Sequence, residues 1–317
     1  MKIVIAEPIG ISPSVLREFR KNLENSGHEL IAFEVRPEND LELLNRLRSA
    51  EIVVVSNLSI SGEIIQQCEK LKLIAVAFTG IDHIDVETCK KQKIQICNAA
   101  GYSTVAVSEL TIGLIMDALR KITELHYETI NGGTRKQFLG TELSGKTVGI
   151  VGTGDIGGKV AEILTAFGCK VLAYSRTHKA KLIKIGVKYV DLDLLLNESD
   201  IVTIHVPHIP ETNLMFNKES FSKMKTASYF INTARGKVVD SYALADALKS
   251  GKLSGAAVDV YEYEPPIQKD HPLLSAPNIV LTPHIAFATK EAIEKRSKIV
   301  INNILTWLDG NPENICL

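Results

Sequence analysis

The glycines at 152, 154 and 157 have the spacing G-x-G-x-x-G, directly after an apolar run at 148–151 and at the start of an amphipathic segment. Gly152 permits a tight turn, Gly154 lets the backbone approach a ligand, and Gly157 permits close packing of a helix on a strand. The free N–H groups at the start of such a helix favour an anion. A lone motif of this kind is a weak signal, but the strand and helix patterns around it make it specific. It predicts a βαβ unit that binds the pyrophosphate of a dinucleotide.

Short apolar runs alternate with longer amphipathic segments along the whole chain, which is typical of parallel sheets covered by helices. A first set of strands is predicted at 3–6, 30–33, 52–55, 73–77 and 94–97. After one long helical pattern at 103–131, a second set of six strands is predicted at 147–151, 170–174, 201–206, 228–232, 255–260 and 278–281. The predicted fold class is therefore α/β, with two doubly wound parallel-sheet domains.

The last helical pattern, at 290–308, follows the second strand series, and we expect its apolar stripe to pack on the first domain. The first domain is then discontinuous. We predict a flavodoxin-like substrate domain at 1–100 plus 287–317, into which a Rossmann dinucleotide-binding domain at 101–286 is inserted.

The charge of the chain is nearly balanced, with 36 Lys and Arg against 37 Asp and Glu, and no basic block suggests nucleic acid or a membrane surface as a partner. The five cysteines are scattered and form no C-x-x-C pair, which is typical of reduced thiols in a cytoplasmic protein. No metal-ligand cluster is visible. The apolar start reads as a strand rather than an export signal, and no stretch reaches the roughly 20 apolar residues of a spanning helix. We expect small molecules as partners.

The turn after the second strand of the dinucleotide-binding unit indicates which cofactor is bound. NAD-binding folds usually place an acidic residue there to hold the ribose hydroxyls. This chain has Ser175, Arg176 and Thr177 instead, with Lys179 nearby. The cations Arg176 and Lys179 favour a 2′-phosphate, held through charge-assisted hydrogen bonds. NADP(H) is the favoured cofactor, and NAD(H) is the alternative if Arg176 only stacks on adenine or faces solvent.

Candidate catalytic side chains follow three strands of the same predicted sheet. His284 follows the last strand, Arg235 follows an earlier one, and Asp259 and Glu264 follow the strand between them. Reduction of a carbonyl requires a proton donor at the oxygen and a cation for a neighbouring carboxylate. Because ligands bind at the carboxyl ends of parallel strands, these side chains are candidates for one active site.

Six ordered segments of the chain resemble the D-isomer-specific 2-hydroxyacid dehydrogenases, which include glyoxylate and hydroxypyruvate reductases, D-lactate dehydrogenases and phosphoglycerate dehydrogenases. The segments are GIDHID at 80–85, GYSTVAVSELT at 101–111, GIVGTGDIGGKVA at 149–161, INTARGKVVD at 231–240, AAVDVYEYEPP at 256–266 and LTPHIA at 281–286. The resemblance covers nearly the whole chain. It implies hydride transfer between a nicotinamide cofactor and a small 2-oxo or D-2-hydroxy acid, by a homodimer.

The resemblance also implies a role for each catalytic candidate. Arg235 would bind the substrate carboxylate and polarise the carbonyl, and His284 would act as the acid and base. Glu264 would hydrogen-bond His284 and tune it. Glu262 is the alternative carboxylate, but the resemblance places the functional one at Glu264.

Two further groups of residues are implied. The turn at Thr79 and Gly80 would bind the substrate carboxylate through backbone N–H groups. Cofactor contacts are expected from Thr104, Gly152, Gly154, Asp155, Ile156, Gly157, Ser175, Arg176, Thr177, Val206, Pro207, Thr233, Ala234 and Asp259.

The identity of the substrate stays open. Phe287 stands where many family members have glycine, and nearby tyrosines predict a partly aromatic pocket, as in some D-lactate-type enzymes. The turn at 175–177 is more similar to glyoxylate and hydroxypyruvate reductases, which we prefer. A phosphite-type or formate-type dehydrogenase and a nucleotide-sensing co-repressor are the alternatives. Glu264 and His284 argue against the formate type, and the absence of long disordered tails argues against the co-repressor.

Overall fold

The computed structural model describes residues 1–263 and 266–317. The chain forms two compact units, Met1–Ser103 with Ala288–Leu317, and Thr104–Phe287. The predicted divisions, 1–100 plus 287–317 and 101–286, lie close to these bounds. The substrate and dinucleotide roles assigned to the two units stay predictions.

The first unit contains five parallel strands in the order β2-β1-β3-β4-β5, which is the flavodoxin-like order. Its strands are β1 (Lys2–Ile5), β2 (Glu29–Ala32), β3 (Ile52–Val55), β4 (Leu73–Val76) and β5 (Gln95–Asn98). Every residue of β3 and β4 is buried, which explains why these segments are apolar throughout rather than alternating. The predicted flavodoxin-like sheet is confirmed.

The helices of the first unit begin at polar residues whose side chains accept a hydrogen bond from the first helical turn. They are α1 (Pro13–Asn25), α2 (Asp40–Leu47), α3 (Gly62–Gln66), α4 (Val86–Gln92) and, at the far end of the chain, α12 (Lys290–Leu308). The capping side chains are those of Ser12, Asn39, Ser61, Asp85 and Thr289.

Helix α12 belongs to the first unit by both apolar packing and hydrogen bonds. Its residues Val300 and Ile304 are buried. Trp307 Nε1 donates to Gln95 Oε1 at 2.6 Å, and Asn303 Nδ2 donates to the carbonyl of Asn98 at 2.8 Å. Helix α12 therefore packs against the sheet of the first unit and hydrogen-bonds to its strand β5.

The second unit contains seven parallel strands in the order β12-β11-β10-β9-β6-β7-β8. They are β6 (Thr147–Val151), β7 (Lys170–Tyr174), β8 (Lys188–Tyr189), β9 (Ile201–Ile204), β10 (Ser228–Asn232), β11 (Leu253–Val258) and β12 (Ile279–Leu281). The strands after β6 are added on one side of it as far as β8, and from β9 onward they are added on its other side, so the strand order reverses between β6 and β9, as in a Rossmann sheet. The predicted Rossmann class is confirmed, but the prediction of six strands was wrong. Strand β8 has only two residues, too few to show a pattern in the sequence.

The helices of the second unit correct one further prediction. They are α5 (Thr104–Arg120), α6 (Ile122–Ile130), α7 (Asp155–Ala166), α8 (Ala180–Lys184), α9 (Leu192–Glu198), α10 (Lys218–Lys223) and α11 (Ser241–Lys249). The single helix predicted at 103–131 is two helices. Lys121 between them has a φ of 51°, a left-handed conformation that interrupts a helix although neither glycine nor proline marks the position. Among the described helices, none has both the length and the apolar character needed to cross a bilayer.

Candidate active site

The glycine loop leaves β6 and enters α7 through two positions, Gly152 and Gly157, that only glycine fits. Gly152 has a φ of 94°, and a Cβ placed on it would lie 2.6 Å from the carbonyl oxygen of His205. A Cβ on Gly157 would lie 2.0 Å from the carbonyl oxygen of Gly152. At Gly154, by contrast, an added Cβ meets no atom of the described residues within 4 Å, so it would point into open space. Gly154 precedes α7 and offers no capping side chain, which leaves the N–H groups of the first turn available to an anion.

A cavity of about 530 Å³ lies in front of this loop. Its walls are the glycine loop, the turn that follows β7, and the segment that follows β9, where Val206 and Pro207 stand. The volume suits a nucleotide or another small ligand. The open approach at Gly154, the helix start and this volume together fit a bound dinucleotide.

The turn after β7 carries the residues predicted to select the cofactor. Ser175, Arg176, Thr177 and Lys179 all line the cavity. The Thr153 N–H donates to Ser175 Oγ at 3.4 Å, and Arg176 is exposed. Lys179 Nζ lies 3.5 Å from Asp155 Oδ1, so part of its charge is balanced by the first residue of α7.

Glu211 and His205 are among the other residues that line this cavity. Glu211 lines its wall from the segment after β9, and no spacing rule links a residue so far along the chain to the glycine motif. His205 also lines it, with Nε2 3.1 Å from Thr203 Oγ1. Burial lowers the pKa of His205 to about 3, so its imidazole is neutral near pH 7 and adds no charge for a phosphate.

Thr104, the first residue of α5, is placed near the start of α7. Ser108 Oγ donates to the carbonyl of Thr104 at 2.7 Å and lies 3.4 Å from the carbonyl of Ile156. The structure therefore brings two predicted cofactor residues, Thr104 and Ile156, to either side of one hydroxyl group.

Asp259, at the end of β11, holds the loop that carries His284. Its side chain is fully buried. Oδ1 accepts hydrogen bonds from Thr282 Oγ1 at 2.6 Å and from the Ile285 N–H at 2.9 Å, and Oδ2 accepts from the Ala286 N–H at 2.9 Å. Burial raises the pKa of Asp259, and these hydrogen bonds oppose the rise. The predicted contact of Asp259 with the cofactor stays a prediction, whereas its bonds to this loop were not foreseen.

His284 adopts a conformation that histidine rarely adopts. Its φ is 56°, in the left-handed region, and its N–H donates to the carbonyl of Thr282 at 3.1 Å. Such a conformation at a residue other than glycine persists only where the surroundings impose it, and it is common at functional sites. The imidazole is half-buried and meets the ring of Phe287 edge-on, with 5.5 Å between ring centroids.

Arg235 follows β10 in a turn that Asn232 shapes. Asn232 Oδ1 accepts from the Ala234 N–H at 2.9 Å, and Asn232 Nδ2 donates to the carbonyl of Arg235 at 3.1 Å. Arg235 itself is half-buried, and its Nη1 donates to the carbonyl of Ala234 at 2.8 Å. The hydroxyl of Thr233 lies 2.9 Å from that of Thr111 on α5. The predicted cofactor residues Thr233 and Ala234 are thus fixed in place by their neighbours.

Gly236 brings the Arg235 turn against the loop that follows β11. A Cβ on Gly236 would lie 1.8 Å from the carbonyl carbon of Tyr261, so any other residue would separate the two loops. Neither Gly236 nor Asn232 was predicted as a site residue. The glycine one position after Arg235 in the sequence is the signal that could have identified this contact.

Glu262 and Glu264 are the two carboxylates considered as hydrogen-bond partners of His284. Glu262 Oε2 lies 3.1 Å from His271 Nε2, and the ring of His271 packs edge-on against Tyr261. Glu262 is therefore paired with a different histidine. Glu264 lies outside the described residues, and its role stays a prediction.

The remaining predicted residues belong to the first unit. Thr79 and Gly80 follow β4, and Asn98 Nδ2 donates to the carbonyl of Thr79 at 2.7 Å, which fixes the start of that turn. Substrate binding there stays a prediction. No group of three or more His, Cys, Asp or Glu among residues 1–263 and 266–317 is arranged to hold a metal ion.

Six parallel strands of the second unit place these features at one edge. The glycine loop, the turn at 175–179 and the 205–207 segment follow β6, β7 and β9, while Arg235, Asp259 and the His284 loop follow β10, β11 and β12. Because all of these strands run in the same direction, the dinucleotide cavity and the catalytic candidates share the carboxyl edge of a single sheet.

Comparison with known proteins supports the family that the motifs indicated. Residues 112–286 match the family described as "D-isomer specific 2-hydroxyacid dehydrogenase, NAD binding domain". A D-3-phosphoglycerate dehydrogenase of Archaeoglobus fulgidus is 39% identical over 98% of this chain, which spans 58% of that protein. A hydroxypyruvate reductase of Blautia hydrogenotrophica is 34% identical over 99% of both chains.

Solved structures agree over the full length. An acyclic imino acid reductase in complex with NADPH and D-arginine superposes with a TM-score of 0.90, at 33% identity and 100% coverage of both chains. A D-lactate dehydrogenase of Aquifex aeolicus, in complex with NAD and lactic acid, gives a TM-score of 0.85 at 30% identity, covering 98% of this chain and 96% of that one. The motifs, the two sheets and these similarities lead to one conclusion: the chain belongs to the D-isomer-specific 2-hydroxyacid dehydrogenase family.

Proposed function

We propose that this protein is a nicotinamide-dependent reductase of small 2-oxo acids, forming D-2-hydroxy acids, and that it also catalyses the reverse oxidation. The observation that carries the proposal is the placement of the His284 loop. Buried Asp259 holds that loop at the carboxyl edge of the sheet whose first strand carries the glycine loop. An acid–base group and a dinucleotide cavity on one edge suit hydride transfer to a carbonyl.

Arg235, His284 and Glu264 have separate roles in the proposed reaction. A nicotinamide cofactor, when bound, would be the source of the hydride that the carbonyl carbon accepts. Arg235 pairs with the substrate carboxylate and withdraws electron density from the carbonyl, and His284 delivers a proton to the carbonyl oxygen as the C–H bond forms. Oxidation reverses both transfers. Glu264 is proposed to hydrogen-bond His284.

The proposed substrate is glyoxylate or hydroxypyruvate. Phe287 stands edge-on to His284, so it would limit the size of a group attached to the reacting carbon. A D-lactate-type specificity, with pyruvate as the oxo acid, is the closest alternative within the family. A phosphite-type reaction is a more distant one.

NADP(H) is the proposed cofactor. Arg176 is exposed at the cavity, and Ser175 occupies the position at which an acid would hold the ribose of NAD. Glu211 and Asp155 are acids near the same cavity, and Lys179 pairs with Asp155. The imino acid reductase with NADPH and the lactate dehydrogenase with NAD show that structural relatives bind either cofactor.

One experiment tests the reaction and the cofactor together. Purified protein is mixed with NADPH or NADH and with glyoxylate, hydroxypyruvate, pyruvate or a bulkier 2-oxo acid, and absorbance at the reduced nicotinamide band is followed. We expect oxidation with glyoxylate or hydroxypyruvate, faster with NADPH. No oxidation with any pair would overturn the reductase proposal and favour a nucleotide-sensing binding protein. Faster oxidation of NADH would overturn the cofactor proposal alone.

Reduction of an imino acid is a second candidate reaction, favoured by the similarity to the imino acid reductase. In that reaction the hydride adds to the imine carbon and the proton to nitrogen. The same assay with ammonium or methylamine added to each oxo acid separates the two reactions. Stimulation of cofactor oxidation by the amine, with an amino acid as the product, would favour the imine.

We also propose that the protein is a homodimer. Helix α6 and the segment after it expose large apolar side chains, and Ile122, Tyr127, Ile130 and Leu139 are between 55% and 82% exposed. A second copy would remove this surface from water. Sedimentation analysis should give twice the mass of the 34.8 kDa chain, and Leu139→Asp should shift the protein towards the monomer. A monomer at micromolar concentration would contradict the proposal. The cytoplasmic location stays a prediction.

A further inference from the structure

Tyr189 is the one aromatic side chain of strand β8, and no motif marked it. Its hydroxyl oxygen lies 3.0 Å from Thr153 Oγ1 and accepts a hydrogen bond of 3.0 Å from the Lys179 N–H. Thr153 is a buried residue of the glycine loop, and Lys179 ends the turn that follows β7. The hydroxyl of Tyr189 therefore joins the glycine loop to this turn.

The positions of the donors and acceptors define the direction of each hydrogen bond. Thr153 Oγ1 donates its single hydrogen to the carbonyl of Thr177 at 3.5 Å, so it accepts from Tyr189. The chain of hydrogen bonds runs from Lys179 N–H to the Tyr189 hydroxyl, then to the Thr153 hydroxyl, and ends at the carbonyl of Thr177. Each hydroxyl group both donates and accepts a hydrogen bond, and the hydrogen bonds of such a chain strengthen one another.

A stacking contact supports the same turn. The ring of His178 lies over the ring of Tyr189, with 4.1 Å between centroids and 19° between the planes. The Thr153 N–H also donates to Ser175 Oγ at 3.4 Å. Four of the five residues at 175–179 thus contact Tyr189 or Thr153. The fifth, Arg176, is exposed at the cavity in the middle of the turn.

We infer that Tyr189 is a positioning residue that sets the discrimination between NADP(H) and NAD(H), by fixing the turn from which Arg176 and Ser175 face the ribose. This inference rests on the proposed function, because it concerns the cofactor of that reaction. Tyr189 acts through the turn and has no part in proton transfer. The three glycines of the loop hold the pyrophosphate without it.

The substitution Tyr189→Phe removes the hydroxyl and keeps the ring, its volume and its stacking on His178. Loss of one net hydrogen bond corresponds to a change of about fivefold in affinity. We expect the Kd of NADPH to rise about fivefold and that of NADH to change less than twofold, with kcat at saturating NADPH unchanged. Thr153→Val, which removes the other hydroxyl of the chain, should give the same shift.

The experiment measures both dissociation constants by quenching of protein fluorescence for the wild type, Tyr189→Phe, Thr153→Val and the double variant. The double variant should resemble each single one, since the two hydroxyls act as one unit. Tyr242→Phe, on the exposed face of α11, is the matched control and should bind both cofactors as the wild type does. Adenosine 2′,5′-bisphosphate and AMP serve as probes that need no catalysis, and only the former should bind more weakly.

The outcomes separate this inference from the proposed function. Equal loss of affinity for NADPH and NADH in both variants would show a merely structural role and overturn the inference, as would no change in either. A wild type that prefers NADH overturns the cofactor proposal, yet a shift in the ratio of the two constants on Tyr189→Phe still supports the role of Tyr189. A wild type with no reductase activity leaves the binding constants measurable and the inference testable.

Discussion

The Ala286 N–H donates a 2.9 Å hydrogen bond to the buried carboxylate of Asp259, one of three bonds that hold the His284 loop. Replacing Asp259 with Asn should destabilise the protein. The side-chain amide nitrogen of Asn cannot accept a hydrogen bond, and it would face one of the N–H or O–H groups that now donate to Asp259. We expect the free energy of unfolding to fall by about 2 kcal/mol, the typical cost of a buried group left unsatisfied. We also expect kcat to fall, since the loop loses its support. Urea denaturation and steady-state assays check both effects. Asp246→Asn, on the exposed face of α11, is the control, and wild-type stability of Asp259→Asn would contradict the argument.

Replacing His284 with Gln should remove the proposed proton donor and keep the loop in place. The rate of reduction should fall roughly 100-fold to 10,000-fold, the range for a positioned acid–base group. Stopped-flow or steady-state assays from pH 5 to 9 measure this rate, with His28→Gln in the first unit as the control. Turnover close to that of the wild type would remove His284 from the mechanism.

Replacing Arg235 with Lys should show that charge alone is insufficient. The planar guanidinium can bind a carboxylate with two parallel hydrogen bonds, whereas an ammonium group cannot. We expect kcat/KM for the oxo acid to fall by roughly 100-fold or more. The Kd of the cofactor should be unchanged. Arg17→Lys, on the exposed side of α1, provides the comparison, and a fall in cofactor affinity as large as the fall in kcat/KM would point to a different role.

Replacing Arg176 with Ala should weaken NADPH selectively. Loss of a hydrogen bond to a charged phosphate corresponds to about 10-fold to 100-fold in affinity. The kcat/KM with NADPH should fall by this factor, and that with NADH should stay within about twofold, as expected when only a 2′-phosphate contact is lost. Lys184→Ala, an exposed cation on neighbouring α8, controls for the general loss of charge. An equal fall in kcat/KM with NADPH and with NADH would indicate that Arg176 stacks on adenine instead.

Asp200 should make stability depend on pH. Burial opposes ionisation, but hydrogen bonds from Lys225 Nζ at 2.6 Å and the Thr147 N–H at 2.9 Å outweigh it and lower the pKa of Asp200. The folded pKa is below the unfolded value of about 3.9, so the contribution is complete above that value and is lost as pH falls through the folded pKa. At pH 7, Asp200→Asn should cost about 1 kcal/mol. Urea denaturation of both proteins should show this difference shrinking below pH 4, and a constant difference down to pH 2.5 would contradict it.

The sequence predicted those features that depend on local pattern. The apolar runs identified every strand longer than two residues, and the G-x-G-x-x-G spacing identified a loop in which Gly152 and Gly157 prove to be sterically required. The break at Lys121 was missed because lysine carries no signal for a left-handed conformation. Strand β8 was missed because two residues cannot show a period.

The catalytic residues could be predicted only where a reactive side chain directly follows a predicted strand. Arg235 and His284 follow strands and carry reactive groups, so both criteria selected them. The contacts of Tyr189 with Thr153 and Lys179, and the place of Glu211 in the cavity wall, depend on the arrangement of the sheet, and nothing in the local sequence of either residue indicates them. Asp259 was selected as a cofactor contact, but its bonds to three residues more than 20 positions away depend on the pairing of β11 with β12.

The return of α12 to the first sheet has a consequence for the order of folding during synthesis. Thr104–Phe287 is continuous in the chain, so this unit can fold as soon as it leaves the ribosome. The first unit emerges earlier, but its sheet lacks the partners of Asn98 and Gln95 until Asn303 and Trp307 have been made. The first unit therefore begins to be translated before the second unit but is completed after it, and the apolar surface that α12 covers stays exposed until Lys290–Leu308 have been made.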